Sequence, residues 1–136
     1  MINLRKVTSS KGSLSVIEEE SLPFLVRRIF YLYDIPKGAR RGVHALKETK
    51  EVVIPLSGSF EVSLDNGTEK KTVFLGQANV GLYIPPGIWR ELVNFSPNTV
   101  VLALASTAFN PDDYICDYAS FRKTSNNTVK NVLKKR

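Results

Sequence analysis

The sequence predicts an all-β domain, a sandwich or barrel, on three observations. Short apolar segments recur at even spacing with turn residues between them. One of them, Phe60-Glu61-Val62-Ser63-Leu64, alternates between apolar and polar residues, the pattern of a half-buried strand. It runs straight into Asp65-Asn66-Gly67, a strong hairpin signal because Asn and Gly tolerate positive φ.

The elements follow in order. An N-terminal strand is expected around Asn3 to Val7, and Leu14–Ile17 follows the turn residues Lys11-Gly12. Val26–Tyr33 is rich in aromatic and β-branched residues, which suit a pleated surface. Glu51–Leu56 ends at the turn Ser57-Gly58-Ser59, and Lys71–Leu75 returns from the hairpin. Val80–Ile84, Trp89–Val93 and Thr99–Ala105 complete the strands. Helix is expected only after Asn110-Pro111-Asp112-Asp113: Asn110 caps, Pro111 suits the first helical position, and the acids favour a helix N-terminus.

Length and composition bound the rest. A chain of 136 residues with 43% apolar residues is one domain able to bury a core. One cysteine, Cys116, forbids an intramolecular disulfide and fits a reducing cytoplasm. The first residues do not read as a signal peptide, and no stretch approaches the ~20 apolar residues of a membrane span. The net charge of +6 sits in the tail. Residues 122–136 hold six bases and no acid, while bases and acids balance over residues 1–121. The expected division is a folded domain of residues 1–121 and a solvated basic tail of residues 122–136, with neither nucleic acid nor membrane as partner.

Two segments carry the chemistry. The first reads His44-Ala45-Leu46, four residues, Glu51, six residues, Gly58; the second reads Pro85-Pro86-Gly87, two residues, Arg90, three residues, Asn94. Both spacings resemble the signature stretches of the cupin superfamily, which implies a small jelly-roll barrel with a short C-terminal helical segment. In metal cupins two histidines, a glutamate and a third histidine bind the ion. The matching positions here are His44, Leu46, Glu51 and Arg90. Leu46 has no donor atom and Arg90 is a fixed cation, so no metal is expected. If the barrel register holds, Arg90 points inward. It either pairs with Glu51 or holds an anionic or carbonyl-bearing ligand.

A narrower resemblance covers roughly Ile2 to Arg122. It rests on Lys11-Gly12-Ser13-Leu14, Pro23-Phe24, Arg28-Ile29-Phe30-Tyr31, Arg41-Gly42-Val43-His44-Ala45, Leu56-Ser57-Gly58-Ser59 and Val80-Gly81-Leu82-Tyr83. It continues through Trp89-Arg90-Glu91, Leu104-Ala105-Ser106 and Asp113-Tyr114-Ile115. These residues resemble the nucleotide-sugar 3,4-ketoisomerases. The resemblance implies transfer of a keto group from C4 to C3 of dTDP-4-keto-6-deoxyglucose, without metal or redox cofactor. It implies a cytoplasmic homodimer that trades N-terminal strands and supplies 3-amino-3,6-dideoxy sugars for bacterial glycans such as lipopolysaccharide O-antigen.

Carried over residue by residue, it makes His44 and Tyr31 catalytic and makes Arg41, Arg90, Trp89 and Tyr83 substrate-binding. Removing a proton α to a ketone needs a base, and an unperturbed histidine titrates near 6.5. The developing oxyanion needs a donor, Tyr31 or Arg90. Arg41 suits a pyrophosphate, since guanidinium binds phosphate in bidentate fashion. Trp89 and Tyr83 are either flat faces for thymine or sugar, or plain core. Departures from the family pattern, Leu46 and Arg90 where histidines are usual, leave two alternatives: an impaired sugar-nucleotide-binding cupin, or another sugar-modifying cupin such as an epimerase.

Overall fold

The computed structural model describes residues 1–125; the rest of the expected tail lies outside them. Among the described residues the strands are β1 (Ile2–Asn3), β2 (Arg5–Ser9), β3 (Gly12–Val16), β4 (Arg28–Leu32), β5 (Arg41–Leu46) and β6 (Glu51–Ser57). They continue as β7 (Phe60–Asp65), β8 (Lys70–Leu75), β9 (Val80–Ile84), β10 (Trp89–Val93), β11 (Val100–Ala105) and β12 (Tyr114–Ile115). Two five-stranded antiparallel sheets, in the orders β1-β9-β6-β11-β4 and β12-β5-β10-β7-β8, face each other as a small cupin barrel.

Strand alternation sorts the side chains. Val53, Leu82, Val101 and Ala103 of one sheet meet Phe60, Val62, Leu75 and Leu92 of the other in the interior. The neighbouring residues Val52, Ile54 and Leu104 point outward, where Leu4 and Leu22 of the N-terminal segment cover them. On the opposite sheet Ala45 and Trp89 point outward and are covered by Phe121. Phe121 belongs to the helix α1 (118–125), which runs past the expected domain boundary at residue 121. Burying a side chain of that size contributes about 1.5–3 kcal/mol, which fixes the helix to the barrel.

Two local expectations change in detail. Asn110 does cap, its side chain accepting from the Asp112 amide, but the result is a single 3-10 turn at Pro111–Asp113 leading into β12. The helix starts later, where the Asp117 carboxylate accepts from the Ser120 amide and hydroxyl. The hairpin after β7 is a four-residue loop, with Asp65 opposite Lys70. Gly67 takes φ +98°, while Asn66 instead accepts from the Thr68 and Glu69 amides.

The β2–β3 hairpin stands apart. It pairs with no other strand among the described residues. Its facing residues Val7 and Leu14 are both exposed.

Candidate active site

The site grows from two paired strands and a bulge. On β10 and β5, Arg90 lies directly opposite His44, so both side chains leave the sheet on its inner face. On the other sheet Ala105 is flanked by Arg28 on β4 and Glu51 on β6, which sets these two at one level of the interior. Arg41 and His44 are three residues apart, and plain alternation would send them to opposite faces. The register shifts by one between the pairs Arg90–His44 and Leu92–Arg41. The bulge centres on Gly42, whose φ of +61° suits glycine. Arg41 and His44 therefore border the same cavity, of about 120 Å3.

Inside that cavity Arg90 bridges two acceptors with one nitrogen. Its Nη2 lies 2.8 Å from His44 Nε2 and 3.1 Å from Glu51 Oε1. Arg90 and Glu51 are almost fully buried, with side chains 3% and 4% exposed. Of the two expectations for Arg90, the ion pair with Glu51 is present. A ligand role stays open, because Arg90 Nε is buried with no acceptor among the described residues. Breaking such a pair by removing one partner costs about 3–5 kcal/mol, because the other charge is left buried and alone.

A guanidinium only donates, so His44 Nε2 accepts and Nδ1 carries the ring proton. Burial, then Arg90 and Arg28, push the His44 pKa down to about 3, against an opposing pull from Asp113. The imidazole is neutral at physiological pH, with its lone pair held by Arg90.

Three further groups complete the surroundings, and the sequence reading had passed over them. Tyr114 lies against His44 with ring centroids 4.7 Å apart and borders the cavity. Arg28 lies over the rings of Phe30 and Phe109, and its Nε is also buried without an acceptor among the described residues. Asp113 is buried and accepts from the Thr49 hydroxyl and the Glu48 amide. The adjacency of Asp113-Tyr114 was legible. Its return to pair with β5, Tyr114 opposite Leu46, was not.

The remaining expected site residues lie elsewhere. Tyr31 is on the outer face of β4, 61% exposed, against Tyr33; it is not beside His44. The reason is alternation, since Phe30 and Leu32 take the inner face. Trp89 faces away from Arg90 and packs on Tyr118 and Phe121 under α1. Tyr83 faces outward against Phe24. Leu46, at a position where metal cupins carry a ligand, is buried. Among the described residues no cluster of three or more His, Cys, Asp or Glu side chains is placed to hold a metal ion.

A second cavity, of about 210 Å3, opens beside the first and shares Leu32 and Arg41 with it; Tyr31, Tyr33 and Asp34 border its outer part. Arg41 thus borders both the cavity that holds His44 and Arg90 and its neighbour.

Fold and pocket together define a small cupin barrel with arginine at a position where metal cupins carry a ligand. The chain belongs to the family described as "FdtA: WxcM-like, C-terminal", whose model matches residues 1–126. It is 39% identical over 124 residues to the TDP-4-oxo-6-deoxy-alpha-D-glucose-3,4-oxoisomerase of Aneurinibacillus thermoaerophilus, covering 90% of this chain and 89% of that one. It superposes on QdtA, a sugar 3,4-ketoisomerase from Thermoanaerobacterium thermosaccharolyticum in complex with TDP, with a TM-score of 0.90. Identity there is 33%, and 93% of each chain is covered. A mutant of that enzyme has been crystallised in complex with TDP-4-keto-6-deoxyglucose. The RmlC epimerase of Mycobacterium tuberculosis shares the fold alone, with TM-score 0.70, 20% identity, and 83% of this chain and 65% of that chain covered.

Proposed function

We propose that this chain is a sugar-nucleotide 3,4-ketoisomerase acting on TDP-4-keto-6-deoxyglucose. The observation that carries it is a neutral histidine and a buried, incompletely satisfied arginine sharing one cavity, in a family whose named relatives are 3,4-ketoisomerases.

The sugar occupies the inner chamber. That chamber is well below the ~300–1,000 Å3 usual for ligand sites, so the nucleotide extends into the outer one. The pyrophosphate then passes Arg41 at the junction. When the C4 oxygen enters, Arg90 turns to it, which frees the lone pair of His44 Nε2. Losing Arg90 as a neighbour also removes one cause of the histidine's low pKa. His44 takes the C3 proton, the C3–H electron pair forms the C3=C4 bond, and the C4 carbonyl pair moves to oxygen. Arg90 stabilises that charge in a water-poor site, where fixed donors count most. Transfer of the O3 proton to O4 and return of the carbon-bound proton to C4 on the same face give the 3-keto sugar. A 3-keto sugar is a substrate for an aminotransferase. In this reading Trp89 and Tyr83 are packing residues, and no metal takes part.

Two features of assembly belong to the reading. The chain forms a homodimer in which the β2–β3 hairpin of one protomer packs on the other. An isolated two-stranded hairpin is marginal in water, and Val7 and Leu14 need cover. An apolar cavity of about 420 Å3 bordered by Ile17, Leu22, Phe24, Leu25 and Ile29 offers a matching surface. A cytoplasmic location fits the single cysteine, and the residues from Thr124 onward are dispensable for turnover.

The test is incubation with TDP-4-keto-6-deoxyglucose and a 3-aminotransferase, with product identification by NMR. A 3-amino-3,6-dideoxy sugar is expected. Unchanged starting sugar, with binding intact, would favour a non-catalytic sugar-nucleotide binder, a reading consistent with Arg90 sitting on the lone pair of His44.

A further inference from the structure

A keto shift between adjacent carbons moves two protons. One passes from C3 to C4, and His44 accounts for it. The other must leave the O3 hydroxyl and reach O4, because the product carries its carbonyl at C3 and its hydroxyl at C4. This second transfer needs a group that can both give and take a proton. Arg41 and Arg90 border the cavity but cannot release one. Of the other side chains bordering it, only His44, Glu51 and Tyr114 can. His44 is occupied with the carbon-bound proton, and Glu51 is held in an ion pair by Arg90.

Tyr114 remains. Its hydroxyl has no hydrogen-bond partner among the described residues, whereas the Tyr118 hydroxyl is committed to Asp65. The position of Tyr114 is built, not incidental. The preceding residue Asp113 accepts from the Thr49 hydroxyl, which also pairs with Thr107, and its carbonyl accepts from the Lys47 amide. β12 then pairs with β5, setting the Tyr114 ring against His44.

We propose that the Tyr114 hydroxyl relays the oxygen-bound proton between O3 and O4 of the enediol. The inference rests on the ketoisomerase reading. The step balances. His44 removes the C3 proton and leaves an enolate with its charge on O4. Tyr114 gives its proton to O4 and receives the O3 proton. The charge now on O3 reforms a carbonyl at C3, and the C3=C4 pair takes the proton from His44 at C4. Both residues return to their starting states, and no oxidant or reductant is consumed.

The test is Tyr114→Phe in the full-length protein, run in D₂O beside the parent. Phenylalanine keeps the ring against His44 and removes only the hydroxyl. Turnover is expected to fall by at least about 10²-fold, the lower figure for general acid–base catalysis, with TDP binding unchanged. Recovered starting sugar is expected to carry deuterium at C3, because deprotonation still occurs and the stalled enolate lives longer. A variant as fast as the parent overturns the assignment. A slow variant whose recovered sugar is undeuterated also overturns it, since the hydroxyl would then be needed before the carbon acid is opened. A parent that neither turns over nor exchanges C3 removes the ketoisomerase reading itself, and the relay with it.

Discussion

Strand β10 shows two regions of this molecule within two consecutive residues. Arg90 points into the barrel, fully buried and bonded to His44 and Glu51. Trp89 points the other way and is equally buried, but against Tyr118 and Phe121. The inner face carries charges that cost free energy to bury and leaves two guanidinium Nε atoms without acceptors among the described residues. The outer face stacks aromatic rings and pairs its polar groups, with Trp89 Nε1 donating to Glu91 and the Tyr118 hydroxyl donating to Asp65. A buried donor with no acceptor costs about 1–3 kcal/mol, so the inner face is arranged for something other than stability. The same strand divides its residues into those that hold the domain together and those that remain available to a ligand.

Substitutions on the two faces should therefore separate activity from stability. The largest effect is expected on the inner face. His44→Asn should lower turnover by about 10²–10⁴-fold while thermal unfolding and TDP binding stay near the parent's. Parent-like turnover would show that the base is another group. On the outer face Phe121→Ala should cost about 3–5 kcal/mol of stability, read by denaturant unfolding. Its turnover per folded molecule should stay within a few-fold. A catalytic loss without a stability loss would place the helix in the chemistry.

The pH dependence sharpens the comparison. Because the His44 pKa is pushed down to about 3 by burial, Arg90 and Arg28, kcat/KM should not show an acid limb near 6.5. Arg90→Gln removes one of those causes, so its limb should appear at higher pH than the parent's. The stability effect has a definite sign. The unfolded histidine takes up a proton as pH falls through about 6.5, and the folded one does not until much lower. Stability from this group is therefore present above 6.5 and is lost progressively as pH falls toward 3. The smallest effects are expected at tyrosines on outer faces. Tyr31→Phe and Tyr83→Phe should each leave turnover within a few-fold. A large loss at Tyr31 would mean that the wall of the outer cavity, which Tyr31 borders, takes part in turnover.

Much of the barrel was legible because alternation and turns are local properties. The strands around Phe60–Leu64, Val80–Ile84 and Trp89–Val93 needed only a few consecutive residues to be recognised. His44, Glu51 and Arg90 were legible as a group because the signature spacings mark inner-face positions. Tyr31 was assigned from the family resemblance, and Trp89 and Tyr83 as flat faces for thymine or sugar or as plain core, yet each follows or precedes an inner-face neighbour and points outward. Counting alternation from Arg90 would have placed Trp89 correctly. Tyr114 was out of reach for another reason. It joins the site through a 68-residue return to β5, fixed by the Asp113–Thr49 contact, and no local pattern announces such a closure. The C-terminal helix was legible as to region, after Asn110–Asp113, but not as to its start, because the cap at Asn110 opens only a single 3-10 turn before β12 begins.

Gly42 has a consequence for anyone who would redesign this pocket. A pleated strand works like a two-beat rhythm, and the bulge inserts one silent beat, so an odd interval in the chain becomes an even one in space. Arg41 faces the same inner cavity as His44 only because of that offset. Flattening the bulge without a deletion would keep every one of these side chains in the sequence yet turn Arg41 to the opposite face from His44, whereas removing Gly42 would restore plain alternation with both on one face. Filling the glycine would press a new methyl to 3.3 Å from Leu92 in a left-handed backbone. The spacing of Arg-Gly-Val-His is thus a mechanical setting, and substrate reach in this barrel is tuned by counting residues as much as by choosing them.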